Sequence, residues 1–167
     1  DVSDIVEDLL IATRSESGEL AVTREPVDLA AEVATVLRNG GSHTAGVEVD
    51  IDATSTVTTG DPGRVRQIIR NLLTNAERYG GPNVRIDVQE LPNDVVVTVS
   101  DDGDGVIPER LETLFTSAGT VSAATVSGSA GLGLSICRNL AELMGGRLDY
   151  ERRAGRTRFS LSLPASD

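Results

Sequence analysis

Asp61-Pro62-Gly63-Arg64-Val65-Arg66-Gln67-Ile68-Ile69-Arg70-Asn71-Leu72-Leu73-Thr74-Asn75-Ala76-Glu77-Arg78-Tyr79 is the stretch from which the fold is read. Val65, Ile68, Ile69, Leu72, Leu73 and Ala76 recur at threes and fours, so one side of a helix faces a core. Beside that stripe run Gln67, Asn71, Asn75 and Arg78. A helix needed only for packing rarely aligns uncharged amides and a cation along its apolar face. Amide oxygens are neutral, hard ligands suited to Mg²⁺, and a guanidinium is suited to phosphate. Two glycine-rich segments follow downstream, and the three elements together suggest a Mg-nucleotide pocket.

On either side of this helix the pattern alternates between strands and helices. Val2, Ile5, Leu9 and Ala12 suggest an amphipathic helix over 1–16, and Ser15 to Pro26 a connection. Asp28 is placed to cap a second helix carrying Leu29, Val33, Val36 and Leu37, which Asn39-Gly40-Gly41-Ser42 ends. Val47, Val49 and Ile51 alternate with Glu48, Asp50 and Asp52, predicting a half-buried edge strand. Val84-Ile86-Val88 and Val95 to Val99 predict two more, joined by a turn at Leu91-Pro92-Asn93-Asp94. Pro108 opens a short helix through Leu114, and Leu132 to Met144 form a longer one that stops at Gly145-Gly146. Two strands, around Leu148 and Tyr150 and then Phe159, Leu161 and Leu163, turn at Ala154-Gly155-Arg156. The fold class expected is α+β: a two-layer sandwich, with a mixed, mostly antiparallel sheet of about five strands covered on one face by about three helices.

Composition narrows the function. With 167 residues the chain fits one domain and an appendage, and 39% hydrophobic residues suffice for an ordinary core. The net charge of −11 opposes nucleic-acid or anionic-membrane partners, which need basic patches. All 15 basic residues are Arg, so any phosphate contact uses guanidinium. The single Cys137 permits no internal disulfide and reads as a small buried hydrophobe. No apolar run is long enough to span a membrane. The chain begins at Asp1 and reads as a piece of something longer.

Two segments carry ligand chemistry. Asp101-Asp102-Gly103-Asp104-Gly105-Val106 follows a hydrophobic strand, where a carboxylate can accept from an exocyclic amine and the glycines let backbone approach a base. The order is wrong for an EF-hand, which also needs a terminal bidentate Glu. Gly128-Ser129-Ala130-Gly131-Leu132-Gly133-Leu134-Ser135 opens a helix whose free N–H groups suit phosphate, without the Lys of a Walker A loop or the glycine order of a Rossmann turn.

In this order the segments resemble the ATP-binding domain of sensor histidine kinases, of the Bergerat-fold (GHKL) ATPases. Arg70 to Tyr79 is similar to that family's N box, Asp101-x-Gly103-x-Gly105 to its first glycine box, and Gly131-Leu132-Gly133-Leu134 to its second. Asp61-Pro62-x-Arg64 and Met144-Gly145-Gly146 agree as well. Val6-Glu7-Asp8-Leu9-Leu10 resembles the end of the second dimerisation helix. The resemblance implies ATP and Mg²⁺ as ligands, with Asn75 on the metal, Asn71 on the phosphate side and Arg78 on phosphate. It places Tyr79 against adenine and Asp101 on its 6-amino group. Gly103 and Gly105 would pass the base, and Gly131, Leu132, Gly133 and Leu134 would bring lid and helix to the phosphates. An amide at Asn71, where hydrolysing relatives carry Glu, implies slow net hydrolysis.

The resemblance divides the chain into the end of a dimerisation helix at 1–17, a linker at 18–27, a catalytic domain at 28–164 with a lid about 103–130, and a tail. The phosphoacceptor is missing: the only histidine, His43, sits in a polar loop and reads as solvated. The F box keeps Phe115 but has Ala118 at its second Phe and no Arg from 111 to 137, so the lid is expected to be loose and, from its composition, disordered without nucleotide. The expectation is thus a protein-histidine kinase domain, cytoplasmic, unable by itself to autophosphorylate. Its partners would be its own dimerisation helices, a second copy of the full-length protein and a response regulator. Two alternatives keep the fold: an anti-sigma-type Ser/Thr kinase, and a degenerate ATP-sensing module.

Overall fold

A computed structural model of the chain describes residues 6, 10, 14, 20–116 and 130–166. Its elements are β1 (Glu25–Asp28), α1 (Leu29–Asn39), β2 (Glu48–Asp52), β3 (Val57–Gly60), α2 (Pro62–Tyr79), β4 (Arg85–Glu90), β5 (Asp94–Asp101), α3 (Pro108–Leu111), α4 (Ala130–Leu143), β6 (Arg147–Arg153) and β7 (Arg156–Pro164). Five strands form one sheet in the order β2-β4-β5-β7-β6, parallel at β2–β4 and antiparallel elsewhere. β1 and β3 make a separate antiparallel pair. This is the α+β arrangement the sequence predicts.

Alternation along β5 shows where the core lies. Val95, Val97 and Val99 join Ile86, Val88, Leu161 and Leu163 in one cluster with Val33 and Val36 of α1, Ile68, Ile69 and Leu72 of α2, and Leu140 of α4. Each fully buried aliphatic side chain contributes roughly 1.5–3 kcal/mol relative to exposure. The other face of β5 carries Val96, Thr98 and Ser100, which are buried too. There the Thr98 and Ser160 hydroxyls bond at 2.8 Å between charged neighbours on the flanking strands, Asp87 on β4 and Asp149 on β6.

The helix containing the amide stripe starts and stops as its sequence requires. The Asp61 carboxylate accepts from Arg64 N at 3.2 Å, Pro62 takes the first turn, and Gly80 N closes on Ala76 O. Asp28 caps α1 through Ala30 N and Ala31 N, as expected. Ala154 (φ 50°) and Gly155 (φ 74°) form the two-residue turn between β6 and β7, with positive φ at both positions.

Several elements differ from the sequence reading. The segment read as a connection over 15–26 contains the first two residues of β1, and β3 went unpredicted. Four residues that include Pro26 cannot show an alternation, and β1 and β3 exist only because they pair with each other. Ser166 N also donates to Val57 O at 3.0 Å, tying the end of the chain to β3. β2 is less buried than its alternation suggested: Val49 and Ile51 are 43% and 49% exposed, because the strand has a neighbour on one side only. α3 ends at Leu111 rather than Leu114. Of the expected opening helix, Val6, Leu10 and Arg14 are described, and all three are helical and exposed. The rest of that helix, the lid reading over 117–129 and the His43 side chain lie outside the described residues.

Candidate functional site

Along α2 the amide stripe resolves into three different environments. Gln67 is buried and takes a 3.0 Å hydrogen bond from Arg64 Nη1, so it belongs to the scaffold. Asn71, one turn on, is half-buried and donates through Nδ2 to the Cys137 thiol at 3.3 Å, which fixes its amide against α4. Asn75 is half-buried, and its side chain makes no hydrogen bond among the described residues. Arg78 is exposed, and Tyr79, at the last position of α2, is 53% exposed. Cys137 is buried, as its pattern predicted.

At the C-terminal end of β5, Asp101 is only 5% exposed. Its Oδ1 accepts from Gly81 N at 3.1 Å and from Gly103 N at 2.8 Å, while Oδ2 accepts nothing from the described residues. One oxygen is held by backbone and the other is left to select a donor. The two backbone segments that supply those N–H groups touch. A Cβ on Gly80 would lie 2.4 Å from Asp101 Cγ, and one on Gly81 would lie 2.7 Å from Gly103 N. Gly-Gly after a helix is too common a stop for sequence alone to mark either glycine. Gly105 has φ 82°, in the left-handed region that favours glycine.

The next carboxylate is structural. Asp102 takes the Asn83 side-chain amide and, at 3.1 Å, Asn83 N, and these donors hold its carboxyl below the usual range. At the other end of α2, burial raises the Asp61 carboxyl, but the Thr23 and Arg64 N–H donors and the Arg64 charge outweigh it and leave it lowered.

α4 forms the remaining wall. A Cβ on Gly133 would lie 3.8 Å from Asn71 Nδ2, so the first turn of α4 passes Asn71 at van der Waals distance. Leu134 is 3% exposed and belongs to the core rather than to a binding surface. Gly131 and Leu132 lie in the same first turn. Phe115 packs edge-on to Phe159 at 6.4 Å, and the Arg138 guanidinium sits 5.7 Å from the Phe115 ring centroid. The arginine that covers Phe115 is thus Arg138, one residue beyond the 111–137 span that contains no Arg.

A carboxylate at a strand end thus lies beside the end of a helix that carries an amide stripe, with Asn75 unbonded through its side chain among the described residues and the glycine-bearing start of another helix alongside. The family described as histidine kinase-, DNA gyrase B-, and HSP90-like ATPase matches residues 60–167, which contain every one of these groups. The chain belongs to this ATPase family. Two-component system protein A of Emericella nidulans is 38% identical over 160 residues, covering 87% of the chain and 24% of that protein. The probable sensor histidine kinase TcrY of Mycobacterium tuberculosis is 30% identical over 171 residues, covering 98% and 35%. The chain therefore spans between a quarter and about a third of these relatives. The fold matches the Acinetobacter baumannii histidine kinase AdeS with a TM-score of 0.75 at 24% identity, over 99% of the chain and 79% of that structure. It matches the histidine kinase domain of the E. coli osmosensor EnvZ with a TM-score of 0.67 at 27% identity, over 86% and 89%. As a member of this family it is an ATP-binding domain. No described helix is long and apolar enough to cross a membrane.

Proposed function

We propose that this chain is the catalytic domain of a two-component sensor histidine kinase, presenting Mg-ATP to a histidine on a helical bundle upstream. One observation carries the reading: Asp101 keeps one oxygen free at one end of the pocket, while the amides at the other end, Asn71 and Asn75, include no carboxylate. A carboxylate in that stripe could deprotonate water; an amide cannot, so the pocket is suited to delivering phosphate rather than hydrolysing it. Asp101 accepts the adenine 6-amino group, and Asn71 and the first turn of α4 line the phosphates. Arg78, exposed beside them, supplies charge, and Tyr79 covers the base. Gly103, Gly105, Gly131 and Gly133 let backbone close on the nucleotide, while Leu134 anchors the turn in the core.

The donor chemistry fits magnesium arriving with the triphosphate. Among the described residues no cluster of three His, Cys, Asp or Glu could form a protein-only cage. Asn75 offers a neutral oxygen that no neighbour occupies, and Mg²⁺ is commonly held by one or two protein groups plus phosphate oxygens. When bound, the metal neutralises phosphate charge. The protein's part is positioning, in keeping with phosphoryl transfer generally.

The names of the relatives support the same reading, and the proposal includes a catalytic unit over 28–164, a lid about 103–130 and a dimerisation helix ending near 17. They also support a homodimer and a response regulator as partners, and a cytoplasmic location. With the upstream helices restored, γ-labelled ATP should give an acid-labile, base-stable adduct on protein. An acid-stable label would indicate Ser or Thr transfer, and no label would indicate a sensing module; either refutes the proposal. In the chain itself, Asn75→Ala should abolish Mg-dependent nucleotide binding in titration calorimetry, and unchanged affinity would remove Asn75 from the metal.

A further inference from the structure

Two arginines of the β6–β7 hairpin reach back to the backbone around Asp101. Arg156 donates through Nη2 to Asn83 O at 2.9 Å and Ser100 O at 3.2 Å, and through Nε to Ser100 Oγ at 3.2 Å. Arg152 donates through Nη1 to Gly103 O and to Thr157 Oγ1, the latter at 2.9 Å. The Arg152 stem lies so near Gly105 that a Cβ there would approach its Cδ to 3.2 Å. Neither arginine belongs to the motifs that marked the pocket.

The placement matters because the two donors to Asp101 Oδ1 come from separate segments. Gly81 belongs to the segment leaving α2 and Gly103 to the loop after β5. The direction of the free Oδ2 therefore depends on how far apart those segments stand. Arg156 ties Asn83 on the first segment to Ser100, the residue before Asp101. Arg152 ties Gly103 on the second to the hairpin. A guanidinium donates several bonds from one rigid plane, which a single ammonium cannot reproduce.

We propose that Arg156 and Arg152 are positioning residues for purine recognition, fixing the Asp101 carboxylate so that it accepts a 6-amino group and rejects a 6-oxo group. The inference rests on the nucleotide reading above. Without Arg156 the Asn83 segment loses its tie to Ser100 and is left with the bonds of Asn83 to Asp102, so Gly81 N is held less firmly against Oδ1 and the carboxylate gains rotational freedom. A mobile carboxylate still meets the base but no longer discriminates at its 6-position.

ATP and inosine triphosphate, which differ at that position, make the test. Their dissociation constants would be measured by titration calorimetry for the wild-type chain and for Asp101→Asn, Arg156→Ala, Arg156→Lys and Arg152→Ala. The wild type should prefer ATP, and Arg156→Ala should reduce the preference roughly tenfold, the worth of about one hydrogen bond to a charged group. Arg156→Lys should recover part of it, and Arg152→Ala should show a smaller loss. If Arg156→Ala fails to fold, Arg156→Lys and Arg152→Ala carry the same ratio test. An unchanged ratio in the folded variants, or equal weakening of both nucleotides, overturns the positioning role while leaving the nucleotide reading intact. A wild type without preference, or one that Asp101→Asn leaves unaltered, removes the Asp101 reading and this inference together.

Discussion

Gly80→Ala tests the contact on which the purine end of the pocket depends. Gly80 has φ −93° and ψ −169°, extended backbone open to any residue, so the methyl meets no conformational penalty. The whole effect is steric. The new Cβ would lie 2.5 Å from Ala76 O and 2.4 Å from Asp101 Cγ, with Oδ1 at 2.7 Å. Ala76 O is helix backbone and holds the closing bond of α2, so it yields little. Asp101 must move, and its bonds to Gly81 N and Gly103 N weaken or break. Inserting a methyl into a packed site typically costs about 1–3 kcal/mol. Disturbing hydrogen bonds to a charged group adds a similar about 1–3 kcal/mol. The expected destabilisation is therefore about 3 kcal/mol, a substantial share of the roughly 5–15 kcal/mol that holds a typical domain together. Urea unfolding followed by far-UV circular dichroism reads the midpoint, and calorimetry at low temperature reads ATP affinity in the folded fraction. The midpoint should fall with unchanged slope, and ATP should weaken more than inosine triphosphate. A variant within about 0.5 kcal/mol of wild type, the usual scatter of neutral surface changes, with intact ATP affinity would show that the contact is not there.

Two further outcomes follow from the structure. Asp61, Asp102 and Glu90 all have carboxyls held below their ordinary values, Glu90 by the Thr54 hydroxyl and the Ser55 and Thr54 N–H groups. The unfolded chain then takes up protons first, so their stabilisation is complete above about pH 5 and is lost progressively as pH falls below it. Urea midpoints from pH 6 to 3 should decline, and Asp61→Asn should flatten the decline; a rising or unaltered profile contradicts the assignment. Leu161→Ala, at a fully buried position of the core cluster, should cost about 3 kcal/mol in the same unfolding assay, and a loss under about 1 kcal/mol would mean the cluster closes over the gap.

What sequence reveals here follows the range of the interactions involved. The α2 stripe is legible because residues three and four apart share a face whatever the helix packs against. β5 is legible as an apolar run and β7 from the alternation of Phe159, Leu161 and Leu163 with polar residues. β1 and β3 are not, since neither has a pattern of its own and each exists through the other. At the site the same division holds. Asp101, Asn71 and Asn75 stand in local patterns that suggested their chemistry. Gly80, Gly81, Arg152 and Arg156 act on residues between 20 and 73 positions away, and Gly-Gly after a helix or Arg in a hairpin is too common to mark them.

The two ends of the proposed nucleotide pocket, phosphate at one and base at the other, are supported differently. The phosphate end is built on helices: Asn71 is fixed by Cys137 of α4, and the first turn of α4 stands against it. The base end is built on sheet, with Asp101 held between two loops that arginines of the hairpin bind back to the strands. A change in α4 can therefore alter the phosphate wall without disturbing base recognition, because Arg152 and Arg156 do not pass through that helix. Such a separation would suit the proposed kinase role, in which phosphate leaves while the adenine stays seated. The α4 wall also carries Arg138 over Phe115, at the point where the segment leading to the lid leaves the described structure. Arg138→Ala should thus disturb phosphate-end contacts and leave the ATP preference over inosine triphosphate at its wild-type value, measured by the same calorimetry. A lost preference would mean that the two ends are coupled through the core.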